Sequence, residues 1–233
     1  MIGKTIWCLL LAGLAYVSFA VQMDRQSMVQ PAFADAVPAG FHSASAIGIA
    51  QEALQSGTPE VALGHAQRLV SDRPMPADHL MLLGQAQLAA GQAEQGVASI
   101  ETAARRGWRV VPAQLAVADA AIAQGNYAAA ANRLAAAMAV RHESPAIPAL
   151  LQQMHASAEG RAAMSAALAG EGYWQRSYAA YALISMSPLV VWDTMMAAEA
   201  QGAVLRCIDL ELVQRSFRSL PQSAPDLPER CEG

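Results

Sequence analysis

Lysine is almost missing from this 233-residue chain: Lys4 is one of 15 basic residues, and the others are arginines. A pyridoxal Schiff base and a phosphate-cradling P-loop both need a lysine, so neither is expected in the main body of the chain. Charged residues make up only 15%, against about 25% in an average soluble domain. The net charge of −4 argues against a nucleic-acid partner, which requires clustered positive charge.

Motifs typical of catalysis are also missing. The five histidines form neither His-x-x-x-His nor His-Glu-x-x-His, and Gly-x-Ser-x-Gly does not occur. These histidines are His42, His65, His79, His142 and His155. We therefore expect no enzymatic activity, no metal and no cofactor. An enzyme whose carboxylates are assembled in space within an all-α domain remains the less favoured alternative.

Cysteine is scarce, and its positions are informative. Cys8 lies in an apolar segment, which leaves Cys207 and Cys231. In an exported chain such a pair predicts a disulfide. It would close a loop of about 25 residues and contribute roughly 3.5 kcal/mol by the loop-entropy argument. Two free thiols are the alternative.

The longest apolar run, residues 5–23, contains no charge over nineteen residues. About 18 such residues are typical of a membrane span, whereas a signal-peptide core has about 7–15. Small residues at Ala20 and Ala36 offer possible cleavage sites, so a retained anchor and a cleaved signal both stay open. We predict a single-pass inner (plasma) membrane protein, held by residues 5–23, with the rest periplasmic. A secreted periplasmic form is the alternative.

A repeat of 34 residues follows a proline- and glycine-containing stretch, 24–42, which we interpret as a flexible linker. Gly57, Gly91 and Gly125 are spaced by 34 residues, and each stands between two alanine-rich stretches. Glycine just past a helix end accepts the left-handed conformation that other residues resist. The spacing therefore predicts three antiparallel helix pairs.

Over about residues 43–144 this pattern resembles the tetratricopeptide repeat family. Leu83-Gly84 stands where the family has Leu-Gly, Ala62 and Ala130 match its small residue in the second helix, and Tyr127 matches its aromatic turn position. Gly96 replaces that small alanine in the second repeat, and the family's aromatic positions in the first helices are not aromatic here. The resemblance implies a right-handed helical solenoid of about three to four helix pairs, over 43–170.

The same resemblance implies a concave groove lined by the first helix of each pair. Its polar positions correspond to Gln51, Gln85 and Asp119, and its flanking apolar positions correspond to Ile47, Leu54, Met81, Leu88, Leu115 and Ile122. Amides beside apolar side chains suit an extended peptide. The alternative is that the polar row is a solvated helix face and the apolar rows are core.

The C-terminal third predicts capping helices over 171–220 and a proline-rich tail over 221–233. We expect helices at about 146–156, 160–169, 188–200 and 203–219. Trp174, Tyr178 and Tyr181 share one helix face. This stripe is either core or an aromatic binding patch.

These features favour a non-enzymatic scaffold or assembly factor, tethered to a membrane, whose repeats bind a protein or peptide. The alternative is an accessory structural subunit of a larger membrane complex. Small residues Ala12, Gly13 and Ala15 in the apolar segment permit close contact with other helices.

Overall fold

A computed structural model describes residues 2–38, 40–140, 144–170, 172–219 and 224–231. Within them the chain is helical and has no strand, which confirms the predicted all-α class. The α-helices are α1 (Ile2–Ser27), α2 (Ala44–Gln55), α3 (Pro59–Asp72), α4 (Ala77–Ala89), α5 (Ala93–Arg106), α6 (Val111–Ala123), α7 (Tyr127–Ala139), α8 (Ala146–His155), α9 (Ala158–Ala169), α10 (Gln175–Ala182), α11 (Pro188–Ala200) and α12 (Cys207–Ser216). Short 3₁₀ turns occupy Pro31–Ala36, Phe217–Ser219 and Glu229–Cys231.

The chain divides into two compact units, residues 1–106 and residues 107–233. Unit 1 contains α1 to α5, and unit 2 contains α6 to α12. Two of the three predicted helix pairs therefore lie in unit 1 and the third, α6 with α7, lies in unit 2. A solenoid running through all three pairs stays a prediction.

The repeat glycines close the first helix of each pair. Gly57, Gly91 and Gly125 have φ angles of 74°, 77° and 70°. The residue after each glycine donates its backbone N–H to the carbonyl five positions earlier, with N···O distances of 2.8–2.9 Å. This hydrogen bond satisfies a carbonyl at the helix end and reverses the chain. The period of 34 residues thus places the turns correctly.

Helices α4 and α5 approach each other through two glycines. A Cβ atom added to Gly84 would lie 2.6 Å from Cγ1 of Ile100 and 2.9 Å from the carbonyl oxygen of Gly96. A Cβ added to Gly96 would lie 2.7 Å from Cγ of Leu88. The departure from the repeat pattern at Gly96 therefore has a packing reason, since even one methyl group has no room there.

The N-terminal helix is long and apolar enough to cross a membrane over Gly3–Ser27, a test that a signal sequence also passes. It is exposed from Gly3 to Phe19, and its buried residues, Ala20, Asp24 and Ser27, form one stripe facing the rest of unit 1. The helix therefore continues past the predicted boundary at residue 23. The following range, 24–42, contains the last turn of α1 and a 3₁₀ turn, and its flexibility stays a prediction.

Unit 2 is built around large apolar side chains. Tyr178, Met154, Leu134 and Leu210 are fully buried in one cluster that continues through every helix of the unit. The last helix begins at Cys207, so the predicted start at 203 is wrong. Ala203 instead closes the turn after α11 by donating its N–H to the carbonyl of Ala198, 3.0 Å away. The first three residues of the predicted tail, 221–223, lie outside the described residues.

Candidate binding surfaces

Helix α2 turns its small side chains inward and its larger ones outward. Ala46, Ala50 and Ala53 are buried, whereas Gln51 is exposed and Ile47 is half-buried. Alanine packs this helix closely against α3 and α4 and leaves the longer side chains on the outer face. Two of the predicted groove residues therefore lie on an accessible face.

A cleft of about 480 Å³ opens beside this face of α2. Its lining includes Ile47, Gln51 and Glu52 from α2, together with Met28 and Ala34 from the segment after α1. It also contacts Ser27, Ala44, Ser45, Gly48, Ile49 and Gln55. Amide, carboxylate and aliphatic groups in one cleft suit a peptide, which offers both backbone hydrogen bonds and apolar side chains.

The equivalent face of α4 repeats the exposed glutamine. Gln85 is exposed, Met81 is buried, and Leu88 is 42% exposed. In unit 1, α2 and α4 are in contact, so Gln51 and Gln85 occupy the same repeat position on neighbouring helices. The polar row predicted for unit 1 is accessible, and Leu88 extends it with an apolar side chain.

The predicted apolar rows contribute mainly to the cores. Leu54 packs against the alanine-rich cluster of unit 1. In unit 2, Leu115 is buried and Ile122 packs against the core, whereas Asp119 is exposed on α6. Of the six apolar groove candidates, Leu88 is the one that is mainly accessible, at 42%. The alternative that these rows are core therefore describes Leu54, Met81, Leu115 and Ile122 better, whereas Ile47 both packs against the core and lines the cleft.

The aromatic stripe lies in the core of unit 2. Trp174 and Tyr178 are buried and Tyr181 is partly buried against the same cluster. The hydroxyl of Tyr178 donates to Nε2 of His155 at 2.8 Å, and Nδ1–H of His155 donates to the carbonyl of Leu151 at 2.7 Å. Of the two interpretations of the stripe, core packing fits Trp174 and Tyr178.

The buried pair is uncharged. Burial lowers the pKa of His155. The hydrogen bond to the carbonyl of Leu151 raises this pKa, and the nearby guanidinium of Arg161 lowers it further. Burial also raises the pKa of Tyr178 above that of an ordinary phenol, and a hydrogen bond with Thr194 opposes this. A neutral imidazole and a neutral phenol can each satisfy the other, so the pair stabilises the core without a buried charge.

A second cleft, of about 400 Å³, lies in unit 2 and has no counterpart in the sequence predictions. The guanidinium carbon of Arg176 lies 4.6 Å from the ring centroid of Tyr173, which is 77% exposed. Across the cleft, Arg206 donates two hydrogen bonds to Asp209, at 2.7 and 2.8 Å. These bonds raise the pKa of Arg206. The signal that could have revealed the cleft is Tyr173, which stands beside the buried stripe but outside its helical spacing.

The C-terminal segment is held against unit 2. The Sγ atoms of Cys207 and Cys231 lie 2.02 Å apart, and their Cα atoms 5.3 Å apart, so the predicted pair is at disulfide distance. Arg230 forms an ion pair with Glu199 and donates to the carbonyl of Leu205 at 2.9 Å. Gln214 donates to the carbonyl of Pro225 at 3.0 Å. The tail is therefore tied to α11 and α12 at several points.

The end of α1 provides a feature that the sequence analysis missed. The carboxylate of Asp24 accepts hydrogen bonds from the backbone N–H groups of Ser43, Ala44 and Ser45, at 2.9–3.1 Å. It also accepts one from the hydroxyl of Ser45, at 2.7 Å. Because these amides belong to the first turn of α2, Asp24 acts as the cap of a helix about twenty residues away. The apolar helix is thereby fixed to the first repeat.

Metal-ligating side chains do not gather in the described part of the chain: no group of three or more His, Cys, Asp or Glu could hold an ion. His142 lies outside the described residues. His79 is buried with its Nδ1 3.2 Å from the carbonyl of Arg73. His65 is half-buried, and its Nδ1 has no partner among the described atoms.

The chain matches no family model, no curated protein and no solved structure. Its likeness to tetratricopeptide repeats therefore rests on its own residues and helix pairs.

Proposed function

We propose that this protein is a membrane-tethered interaction scaffold whose helix pairs bind an extended segment of a partner protein on the exported side. The observation that carries the proposal is the row formed by Gln51 and Gln85. Both glutamines are exposed at the same repeat position of adjacent first helices, and Gln51 borders a cleft of about 480 Å³. Side-chain amides can donate to and accept from a peptide backbone at once, so they suit a partner of varied sequence.

Two further features support the tether and the exported location. The exposed surface of α1 from Gly3 to Phe19 is apolar, which in water would be an unfavourable patch. A cysteine pair at disulfide distance is typical of chains outside the reducing cytoplasm. In this proposal the helix pairs and the disulfide lie together in the periplasm.

The test compares two double variants of the full chain, purified in detergent from native membranes. Gln51→Arg with Gln85→Arg changes the first helices, and Gln67→Arg with Gln95→Arg changes exposed glutamines on the second helices of the same two pairs. Both add the same charge. We expect partners that co-purify with the wild type to be lost from the first variant and retained by the second.

Equal retention by the two variants would contradict the proposed binding face. Recovery of the chain in the soluble fraction after a carbonate wash would contradict the tether. Circular dichroism of both variants checks that they fold alike.

An accessory-subunit role is the second candidate, and one observation favours it. Ala12, Gly13 and Ala15 are exposed on α1, and a Cβ added to Gly13 would meet no atom within 4 Å. Such a surface allows another membrane helix to approach closely. If this role holds, a stoichiometric partner survives solubilisation of the wild type and is lost in Gly13→Leu. A partner retained by that variant would contradict helix packing at this position.

A further inference from the structure

A mixed polar and apolar cavity of about 560 Å³ lies in unit 1 beside the end of α1. Its apolar lining includes Val21, Phe41 and Leu69, and its basic lining consists of Arg25 and Arg73. Asp24, Met28, Gly40, His42, Ser43, Ala44 and Asp72 complete the lining. The lining thus combines two arginines with apolar residues, a combination that suits an amphipathic molecule.

The position of this cavity along α1 matches the surface of a bilayer. The helix is exposed from Gly3 to Phe19 and turns its buried stripe to the protein from Ala20 onward. At about 1.5 Å per residue, those seventeen exposed residues span roughly 25 Å, close to the about 30 Å of a hydrocarbon core. Val21, the first cavity residue, therefore lies near the level of the lipid headgroups.

An aromatic contact lies beside the cavity, roughly 7 Å along α1 from Val21 towards the hydrocarbon. The rings of Tyr16 and Phe41 meet edge to face, with centroids 6.0 Å apart. Phe41 also lines the cavity. Aromatic side chains are enriched at the boundary between hydrocarbon and water, so this pair fits a position where the part of unit 1 that follows α1 meets the membrane.

The hydrogen bonds of the charged lining residues leave the two arginines available to an anion. Asp24 is committed to α2, because its two oxygens accept four hydrogen bonds from Ser43, Ala44 and Ser45. Nδ1 of His42 lies 3.1 Å from the hydroxyl of Ser45, which itself donates to Asp24. Among the described residues, the side chains of Arg25, Arg73 and Asp72 form no ion pair. Asp24 and Asp72 balance the two arginines in formal charge, but the oxygens of Asp24 are already hydrogen-bonded. The guanidinium groups of Arg25 and Arg73 can therefore donate to an anion.

We infer that this cavity binds the headgroup of an anionic phospholipid, with its phosphate between Arg25 and Arg73 and its glycerol and upper acyl carbons against Val21, Phe41 and Leu69. A soluble phosphate carries the same charge, but it would make no contact with the apolar residues of the lining. Its binding would also not require a site at the membrane surface. Guanidinium forks match phosphate oxygens well. This inference rests on the proposed tether.

The test measures lipid retention by the full chain, delipidated in detergent and then offered phosphatidylglycerol or phosphatidylcholine in native mass spectrometry. The wild type should retain phosphatidylglycerol preferentially. Arg25→Gln and Arg73→Gln should each reduce that retention about fivefold, the value expected for one basic residue near an anionic surface. Arg105→Gln, which removes an exposed arginine paired with Glu101 on α5, should leave retention unchanged.

A variant that is expected to increase lipid retention keeps the test informative if an arginine variant folds poorly. Asp72→Asn removes the competing carboxylate, so it should increase retention of phosphatidylglycerol. Equal retention of both lipids, or equal loss in Arg105→Gln, would overturn the inference. If millimolar glycerol 3-phosphate binds as well as phosphatidylglycerol and displaces it, the site belongs to a soluble phosphate and the inference is wrong.

Membrane fractionation of the same samples separates this inference from the tether. A chain found in membranes without lipid preference contradicts the headgroup site alone. A chain found in the soluble fraction contradicts the tether as well.

Discussion

The two units pack their helices with side chains of different size. In unit 1 six of the eight buried residues that join α2, α3 and α4 are alanines, together with Leu69 and Leu82. In unit 2 the core contains Trp174, Tyr178, Trp192 and several methionines and leucines. The same turn chemistry, a glycine with positive φ after a first helix, serves both units.

The two units therefore depend on different interactions for their stability. Each buried alanine contributes little apolar area, so unit 1 depends on close helix contact, on its turns and on the cap that Asp24 provides for α2. Unit 2 concentrates its stability in a few large side chains, one polar pair and the tie between Cys207 and Cys231. A single side-chain deletion should therefore matter most in unit 2, and a turn substitution should matter most in unit 1.

The largest expected effect is in the aromatic core. Tyr178→Ala should lower the free energy of unfolding by about 4 kcal/mol, because it leaves a cavity and an unpaired imidazole nitrogen. Tyr178→Phe keeps the ring and should cost about 1–2 kcal/mol. Urea denaturation measures both. Equal losses in the two variants would show that the hydroxyl, and not the ring, dominates the contribution.

The next effect concerns the tail. Cys207→Ser with Cys231→Ser should cost about 3.5 kcal/mol by the loop-entropy argument for this separation. Hydrogen exchange should then increase in α11 and α12 and stay unchanged in α2 and α3. A protein isolated from its native membrane with both thiols free would contradict both the link and the exported location.

A turn substitution should act on unit 1. Gly91→Val forces a β-branched residue into a left-handed conformation, φ 77°, and should cost about 2 kcal/mol. Its control is Gly64→Ala, at an exposed helical position where a Cβ meets no atom within 4 Å, which should stabilise the chain by up to about 1 kcal/mol. An unchanged melting temperature in Gly91→Val would contradict the register of the repeat.

Features that depend on a single residue or a short segment could be predicted from the sequence. The turns at Gly57, Gly91 and Gly125 could be predicted because a positive φ depends on one residue, and glycine adopts it readily. The pairing of Cys207 with Cys231 followed from there being two cysteines outside the apolar segment. The sequence predicts the start of α12 too early, because alanine's helix propensity does not reveal that the N–H of Ala203 bonds back to the carbonyl of Ala198.

Features made by contacts between distant segments could not be predicted. Asp24 caps α2 from α1, and Tyr178 meets His155 across 23 residues, so neither partner is visible in local periodicity. For the groove, repeat position identified the exposed Gln51 and Gln85. It did not distinguish Leu88, which is exposed, from Met81 and Leu115, which are buried, because burial depends on the neighbouring helices.

The smallest expected effect is a pH dependence that differs between the units. The pKa of His155 is lowered in the folded state, so the unfolded chain takes up the proton first. Stability should be complete above about pH 6.5 and fall as the pH decreases, by at most about 1.4 kcal/mol per pH unit for one proton. Thermal unfolding of His155→Gln should show a weaker slope between pH 7.5 and 5.5.

His65 in unit 1 provides the comparison. Its pKa is lowered too, by burial and by Arg68 and His42, but the residue is only partly buried. His65→Gln should therefore change the slope less than His155→Gln. A larger change in His65→Gln would contradict the assignment of the main titrating contact to unit 2.

Site-specific photo-crosslinking in native membranes tests the central claim, that the first helices of unit 1 face a partner protein. Amine-reactive reagents would find Lys4 alone among the side chains, so the reactive group is introduced at Gln51 and Gln85, with Gln67 and Gln95 as controls. The account predicts a discrete crosslinked band from positions 51 and 85 that is missing at 67 and 95. Crosslinks of equal strength from all four positions, or from 67 and 95 alone, would contradict it.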